Sequence, residues 1–129
     1  MNIAERLDTM RQAAPGCDLV AFGDLGTRLV LRSSAASQPP QEYLDQLCAQ
    51  ADHGFGLQDV LASQVSPRDR TVPEVMVITP QETRVYIRAQ NAGQDTACDA
   101  ILCVCDSETT AKTLITPAIN LLNDLAGGA

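Results

Sequence analysis

The chain has 129 residues, 45% of them apolar, 19% charged and only 3% aromatic, the profile of one globular domain with an aliphatic core. Nine Lys plus Arg against sixteen Asp plus Glu leave a formal charge of −7, which argues against a surface built for nucleic-acid phosphates or anionic lipid. Glu5, Arg6 and Asp8 place charges where a signal peptide would be apolar, and no run of about 18 apolar residues follows; a single cytoplasmic domain over 1–129, with no membrane insertion, is the expectation.

Ile3, Leu7, Met10 and Ala14 recur at steps of four, three and four, one face of an amphipathic helix that Pro15-Gly16 ends. Residues 17–22 and 27–32 flank the turn Gly23-Asp24-Leu25-Gly26 and read as a β-hairpin. Its glycines can supply positive φ, and Asp24 can hydrogen-bond its own backbone two residues on. A small-residue connector over 33–40 ends in Pro40, suited to a first helical turn. Leu44, Leu47, Cys48, Ala51 and Phe55 then form one stripe of a second helix, with Gln41, Glu42, Asp45, Gln46 and Asp52 facing away. Gly54 and Gly56 mark the end of that helix, and His53 sits there as a partner for terminal carbonyls. Leu57, Val60, Leu61 and Val65 allow a short helical continuation before an exposed loop over 66–73.

Residues 74–79 are a continuous apolar run of the kind found in a strand buried on both faces. After Pro80-Gln81, residues 82–88 alternate, with Thr83, Val85 and Ile87 on one side and Glu82, Arg84, Tyr86 and Arg88 on the other, so one face is buried. Beyond a polar loop over 89–97, residues 100–105 form a third apolar strand, central in the sheet. Ala111, Leu114, Ile115, Ala118, Leu122 and Leu125 stripe a final helix, in which Pro117 forces a kink near Thr113 or a fresh start capped by Thr116. The order α-β-β-α-β-β-β-α predicts an α+β fold, a mainly antiparallel five-stranded sheet with helices on its faces.

No constellation of residues carries catalysis. The five cysteines are odd in number and read as thiols; Cys103 and Cys105, at i and i+2, share a face of a strand, and with Cys98 and His53 they lack the paired spacing of a zinc site. All three thiols read as buried and inert. Gly23 to Gly26 leads into a strand instead of a helix, and Lys112, the sole lysine, follows no glycine-rich loop, so no phosphate cradle is present. Asp24 reads as turn chemistry and not as a cation ligand, and Arg68, Asp69 and Arg70 as a solvated charge mix. No enzyme activity, cofactor or metal is expected.

With that element order, the chain resembles the roadblock/dynein light chain family, whose fold is roadblock/profilin-like. The resemblance is carried by the opening helix ending in Pro15-Gly16, Leu19-Val20-Ala21-Phe22, the turn Gly23-Asp24-Leu25-Gly26 similar to the family's Asp-x-Gly hairpin, and the helix near 43–51. It continues through Val75-Met76-Val77-Ile78, Arg84-Val85-Tyr86-Ile87, Ile101-Leu102-Cys103-Val104 and Leu121-Leu122-Asn123-Asp124-Leu125. Segment 57–73 and Pro117 depart from the simplest version of the pattern. The resemblance implies a non-enzymatic homo- or heterodimer, made by pairing sheets edge to edge and packing second helices, that regulates or scaffolds a small Ras-like GTPase or a multiprotein complex. Tyr43, Leu44, Leu47, Val75 and Val77 would then build the dimer, and Glu42, Asp45 and Asp52 would form a partner face. Two alternatives share the small acidic character: a type III secretion chaperone holding an effector segment, which places three consecutive strands after its first helix where this sequence offers two, and a small thiol- or metal-dependent protein.

Overall fold

The structure, a computed structural model, describes residues 2–62, 73–89 and 98–127. Helix α1 (Ile3–Ala13) opens on Asn2, whose side-chain oxygen accepts from the Glu5 N–H at 2.9 Å and satisfies a donor that the first helical turn leaves orphaned. Leu7, Met10 and Ala14 are buried as predicted. Gly16, at φ +94°, turns the chain into β1 (Cys17–Asp24), which pairs with β2 (Leu29–Ala35). In the connection Asp24 Oδ1 accepts from the Gly26 N–H at 2.9 Å, the predicted side-chain turn. The positive φ, however, falls at Arg28 (58°) and at neither Gly23 nor Gly26. Gly23 already belongs to β1, beside a register shift, and the Asp24 turn orders the chain as far as Gly26, which leaves the reversal to be completed at Arg28.

Helix α2 (Gln41–Ala62) is continuous for 22 residues. Gly54 and Gly56 therefore do not end it, and His53 is exposed in mid-helix, well before the terminal carbonyls it was expected to cap. The reason is tertiary: Leu44, Leu47, Cys48, Ala51 and Phe55 are buried against the sheet, which outweighs the ~1 kcal/mol that each interior glycine costs relative to alanine. The short continuation predicted from Leu57 is present in this helix as far as Ala62, and its last member, Val65, lies outside the described residues. The loop expected over 66–73, with Arg68, Asp69 and Arg70, lies outside the described residues except for Pro73, as does 90–97.

Strands β3 (Glu74–Ile78), β4 (Thr83–Arg88) and β5 (Asp99–Cys105) complete a five-stranded sheet in the order β2-β1-β5-β4-β3, every pair antiparallel. The expected α+β architecture and the central place of β5 are both present. Two strands depart from expectation. β3, predicted to be covered on both faces, is an edge strand with half-buried residues and an exposed Ile78. β4, predicted to have one buried face, is covered on both: Thr83, Val85 and Ile87 lie on one side, and Tyr86 is fully buried beneath α2 on the other. Tyr86 can be buried among polar neighbours because its hydroxyl donates to Gln50 inside the packing.

The predicted final helix is two helices, α3 (Glu108–Thr113), capped by Ser107, and α4 (Ile115–Ala126), joined at Leu114. Pro117 has no N–H for the Thr113 carbonyl, so the kink falls where expected. Leu114, not Thr116, occupies the cap position. Helices α1, α3 and α4 cover one face of the sheet over Val20, Ile101 and Cys103, whereas among the described helices α2 alone covers the other over Ala21, Tyr86 and Leu102. No described helix is long and apolar enough to cross a membrane.

Candidate functional site

The expectation for β3 locates the site: an apolar strand that composition assigns to an interior stands at an open edge. Thr79 N–H donates to the Glu82 carbonyl at 2.9 Å and Arg88 N–H to the Pro73 carbonyl at 3.1 Å. In an antiparallel ladder those bonds recur at every second residue, so Val75 and Val77 face β4 with their backbone groups, while Glu74, Met76 and Ile78 turn theirs outward. The Glu74 carbonyl receives Gln58 Nε2 at 2.9 Å. Among the described residues no strand pairs with this edge. Val75 and Val77 tuck their side chains toward α2, and Met76 packs toward the opposite layer.

Helix α2 overhangs this edge. At 3.6 residues per turn, Tyr43, Gln50, Gly54, Leu57 and Leu61 share a flank, and three of them fix where that flank points. Tyr43 Oη donates to Glu82 at 2.7 Å; Gln50 Oε1 accepts from Arg84 at 3.1 Å and from the Tyr86 hydroxyl; Gly54 lies against Val75. Arg84 also donates to Glu82 at 2.6 Å and stacks 5.5 Å from the Tyr43 ring. Further along, the Arg88 guanidinium sits 4.7 Å from the Phe55 ring and pairs with Asp59, whose carboxyl is held below its usual range by hydrogen bonds from Arg88. Burial, reinforced by Glu82, pushes the Tyr43 phenol up to about 12. This polar row pins α2 across β4 and leaves its outer end over the sheet margin, where Leu57, Val60 and Leu61 are 56%, 57% and 57% exposed; Ile78, at the far end of β3, is 63% exposed.

The residues singled out from sequence are distributed unevenly over this site. Val75 and Val77 are on the edge strand itself, and Tyr43 is half-buried at the near end of the α2 flank. Leu44 and Leu47 are 3% and 0% exposed, inside the chain's own core between α2 and the sheet. Glu42 and Asp45 are exposed near the start of α2, Asp45 accepting from Gln41 at 2.9 Å, and Asp52 is paired with Arg28 at 2.9 Å. The sequence reads Leu57, Val60 and Leu61 as a helical continuation, Gly54 as a helix end and Ile78 as part of an interior strand, and assigns none of them to a site. The i, i+3, i+4 spacing of the first three is a helical signal that does not by itself tell an exposed flank from a buried one.

Among the described residues no group of three or more His, Cys, Asp or Glu side chains converges as metal ligands. Cys103 and Cys105 are fully buried on one core face, as expected, but Cys98 is exposed. Burial pushes the Cys48 thiol, under α2, up to about 11.

An antiparallel sheet in the order β2-β1-β5-β4-β3, with the long helix α2 laid across one face, is the roadblock arrangement. The chain matches the roadblock/LC7 domain from Streptomyces avermitilis over 98% of its own length and 97% of that chain, with a TM-score of 0.75 and 12% identity. It matches MglB of Myxococcus xanthus over 98% and 96% of the two chains (TM-score 0.72, 11% identity), and an MglB in a tetrameric arrangement over 96% and 87% (TM-score 0.72, 18% identity). At these identities the likeness is one of fold. No protein-family model matches the sequence, and no curated protein matches it.

Proposed function

We propose that this chain is a non-enzymatic, dimeric regulatory or scaffold protein of the cytoplasm, acting on a small Ras-like GTPase or on a multiprotein complex. The observation that carries the reading is β3: a Val-Met-Val-Ile run at an open sheet edge, continued by the exposed Leu57, Val60 and Leu61 of the helix above it. An edge of this kind is a template for strand pairing and is a liability unless covered. A two-fold axis beside β3 would pair it antiparallel with its copy, place the Ile78 end of one strand against the Glu74 end of the other, and bring the two α2 flanks together. The roadblock fold supports that mode, and one neighbour of this fold is an MglB in a tetrameric arrangement. The charge of −7 favours a protein partner over nucleic acid. The order strand-strand-α2 after α1 argues against the secretion-chaperone alternative.

Light scattering at micromolar concentration tests the first half of the proposal: a dimer mass is expected, and a monomer mass would sink it. Affinity purification from the native cell, followed by mass spectrometry, tests the second. Recovery of a Ras-like GTPase, whose hydrolysis or nucleotide exchange then changes on adding the purified protein, is the expected result. Recovery of a secreted effector in its place would favour the chaperone.

A further inference from the structure

On the face of the sheet away from α2, two thiols stand opposite each other. Cys17, the first residue of β1, is the register partner of Cys105, the last residue of β5. The backbone around them fixes the type of pairing. Asp106 N–H donates to the Gly16 carbonyl at 2.9 Å, and Cys17 N–H donates to Ala14 at 2.9 Å instead of to Cys105. Cys17 and Cys105 are therefore a non-hydrogen-bonded antiparallel pair, the geometry in which facing Cα atoms come to roughly 4.5 Å with both side chains on one face. That separation falls within the roughly 4.4–6.8 Å that a disulfide spans. Cys103 lies on the same core face, but its register partner is Val20, so a bond from Cys17 would have to cross a diagonal of about 7–8 Å. Cys48 is on the other face of the sheet under α2, and Cys98 is beyond the far end of β5.

We propose that Cys17 and Cys105 form a reversible dithiol–disulfide pair, oxidised by hydrogen peroxide and reset by a small dithiol. Access gives the order of events, because Cys17 is 7% exposed and Cys105 is fully buried. Electrostatics agrees with it: the interaction between the two thiols holds Cys17 below its ordinary value and raises Cys105, and the hydrogen bond to the Leu19 carbonyl at 3.4 Å and the charge of Arg11 lower Cys17 further against the opposing effect of burial. The thiolate is the nucleophile. The Cys17 sulfur attacks one peroxide oxygen; an S–O bond forms, the O–O bond breaks, and the departing hydroxide leaves as water with the thiol's proton. The Cys105 sulfur then attacks Cys17; the S–S bond forms, the S–O bond breaks, and a second water carries away the Cys105 proton. Two thiols and one hydrogen peroxide become one disulfide and two waters, with two electrons passing from sulfur to peroxide. The bond ties β1 to β5 at one end of their ladder, between residues far apart in the chain, and so constrains the unfolded state strongly.

The test uses the folded full-length protein carrying Cys98→Ser, which removes the exposed thiol and leaves the pair alone. After hydrogen peroxide, denaturation with alkylation and digestion without reductant, mass spectrometry should find the Cys17 peptide joined to the Cys105 peptide. Alkylatable thiols should fall by two per chain and return with dithiothreitol, and the oxidised form should melt several degrees above the reduced one. Adding Cys105→Ala should abolish both the cross-link and the reversible melting shift, leaving Cys17 as a sulfenic acid captured by dimedone. If that variant fails to fold, the peptide map of the Cys98→Ser protein decides alone. Free Cys17 after peroxide treatment, a bond from Cys17 to any other cysteine, or cross-linking that appears only in denaturant would each overturn the proposal.

Discussion

Gly54 of α2 lies so close to Val75 of β3 that a Cβ placed on it would meet Val75 Cγ1 at 2.9 Å, whereas a Cβ on Gly56, half a turn away, would meet nothing within 4 Å. The two glycines are equivalent in helix propensity and opposite in context. Gly56→Ala should stabilise the fold by about 0.5–1 kcal/mol, the usual gain for alanine in an exposed helix interior. Gly54→Ala forfeits that gain by wedging the helix from the edge strand, and a net loss of about 1 kcal/mol is expected, since overpacking costs ~1–3 kcal/mol. Urea denaturation of the two variants side by side checks the sign; stabilisation by both would show that the α2–β3 contact yields freely.

Ile78 and Leu31 are both large, apolar and well exposed, at 63% and 47%, but they stand on opposite edges of the sheet. If copies pair through β3, Ile78→Asp and Leu61→Asp should convert a dimer mass to a monomer mass in light scattering, because each would bury an unpaired carboxylate. Leu31→Asp, on β2, should leave the dimer intact. The midpoint of unfolding should depend on protein concentration in the wild type and in Leu31→Asp, but not in the other two variants. Dissociation by Leu31→Asp alone would move the interface to the β2 edge.

Local pattern was enough wherever one chain's own packing decides the outcome. The stripe from Leu44 to Phe55 is buried as its spacing predicts, and the Asp24–Gly26 turn forms as its chemistry predicts. It was insufficient wherever a distant contact competes with a local preference. Gly54 reads as a helix terminator unless Val75 is known to stand beside it, and His53 was misplaced for the same reason. The apolar run of β3 reads as interior because hydropathy does not distinguish cover by the chain's own helices from cover by a second chain. Of the candidate edge, the sequence reading therefore picked out Val75 and Val77 but passed over Leu57, Leu61 and Ile78, and it assigned Leu44 and Leu47 to an interface when they fill the core.

Gly16 combines a φ of +94° with a side chain pressed against it: an added Cβ would run into the Asp106 carboxylate. The carboxylate can rotate away, but the backbone conformation remains, and the Gly16 carbonyl is held by the Asp106 N–H. Gly16→Ala should therefore cost about 1–3 kcal/mol, the range for strained backbone at a non-glycine residue. Combining it with Asp106→Ala should recover only a part. Full recovery in the double variant, measured by thermal unfolding, would mean that the contact dominates and the backbone strain is negligible.

Tyr43 gives the fold an alkaline limit. Its phenol titrates near 10.0 when free and is pushed up to about 12 in the folded chain by burial, with Glu82 adding to the shift. The folded state therefore keeps a proton that the unfolded state loses between those values, and stability falls as pH rises through the window. The contribution is fully present below pH 10 and is gone by about 12. The Cys48 thiol, ordinarily near 9.0 and raised to about 11 by burial, acts in the same direction and begins earlier. Tyr43→Phe removes one of these protons and the 2.7 Å hydrogen bond to Glu82. It should cost about 1 kcal/mol at neutral pH, where Glu82 still has Arg84 as a partner, and should flatten the decline of the urea midpoint above pH 10. An unchanged slope in the variant would place the alkaline limit at Tyr86, whose phenol is also raised by burial, or at the raised thiols of Cys48, Cys103 and Cys105. Cys48→Ala, measured over the same pH series, isolates the share of Cys48, which begins below the range in which a phenol ionises.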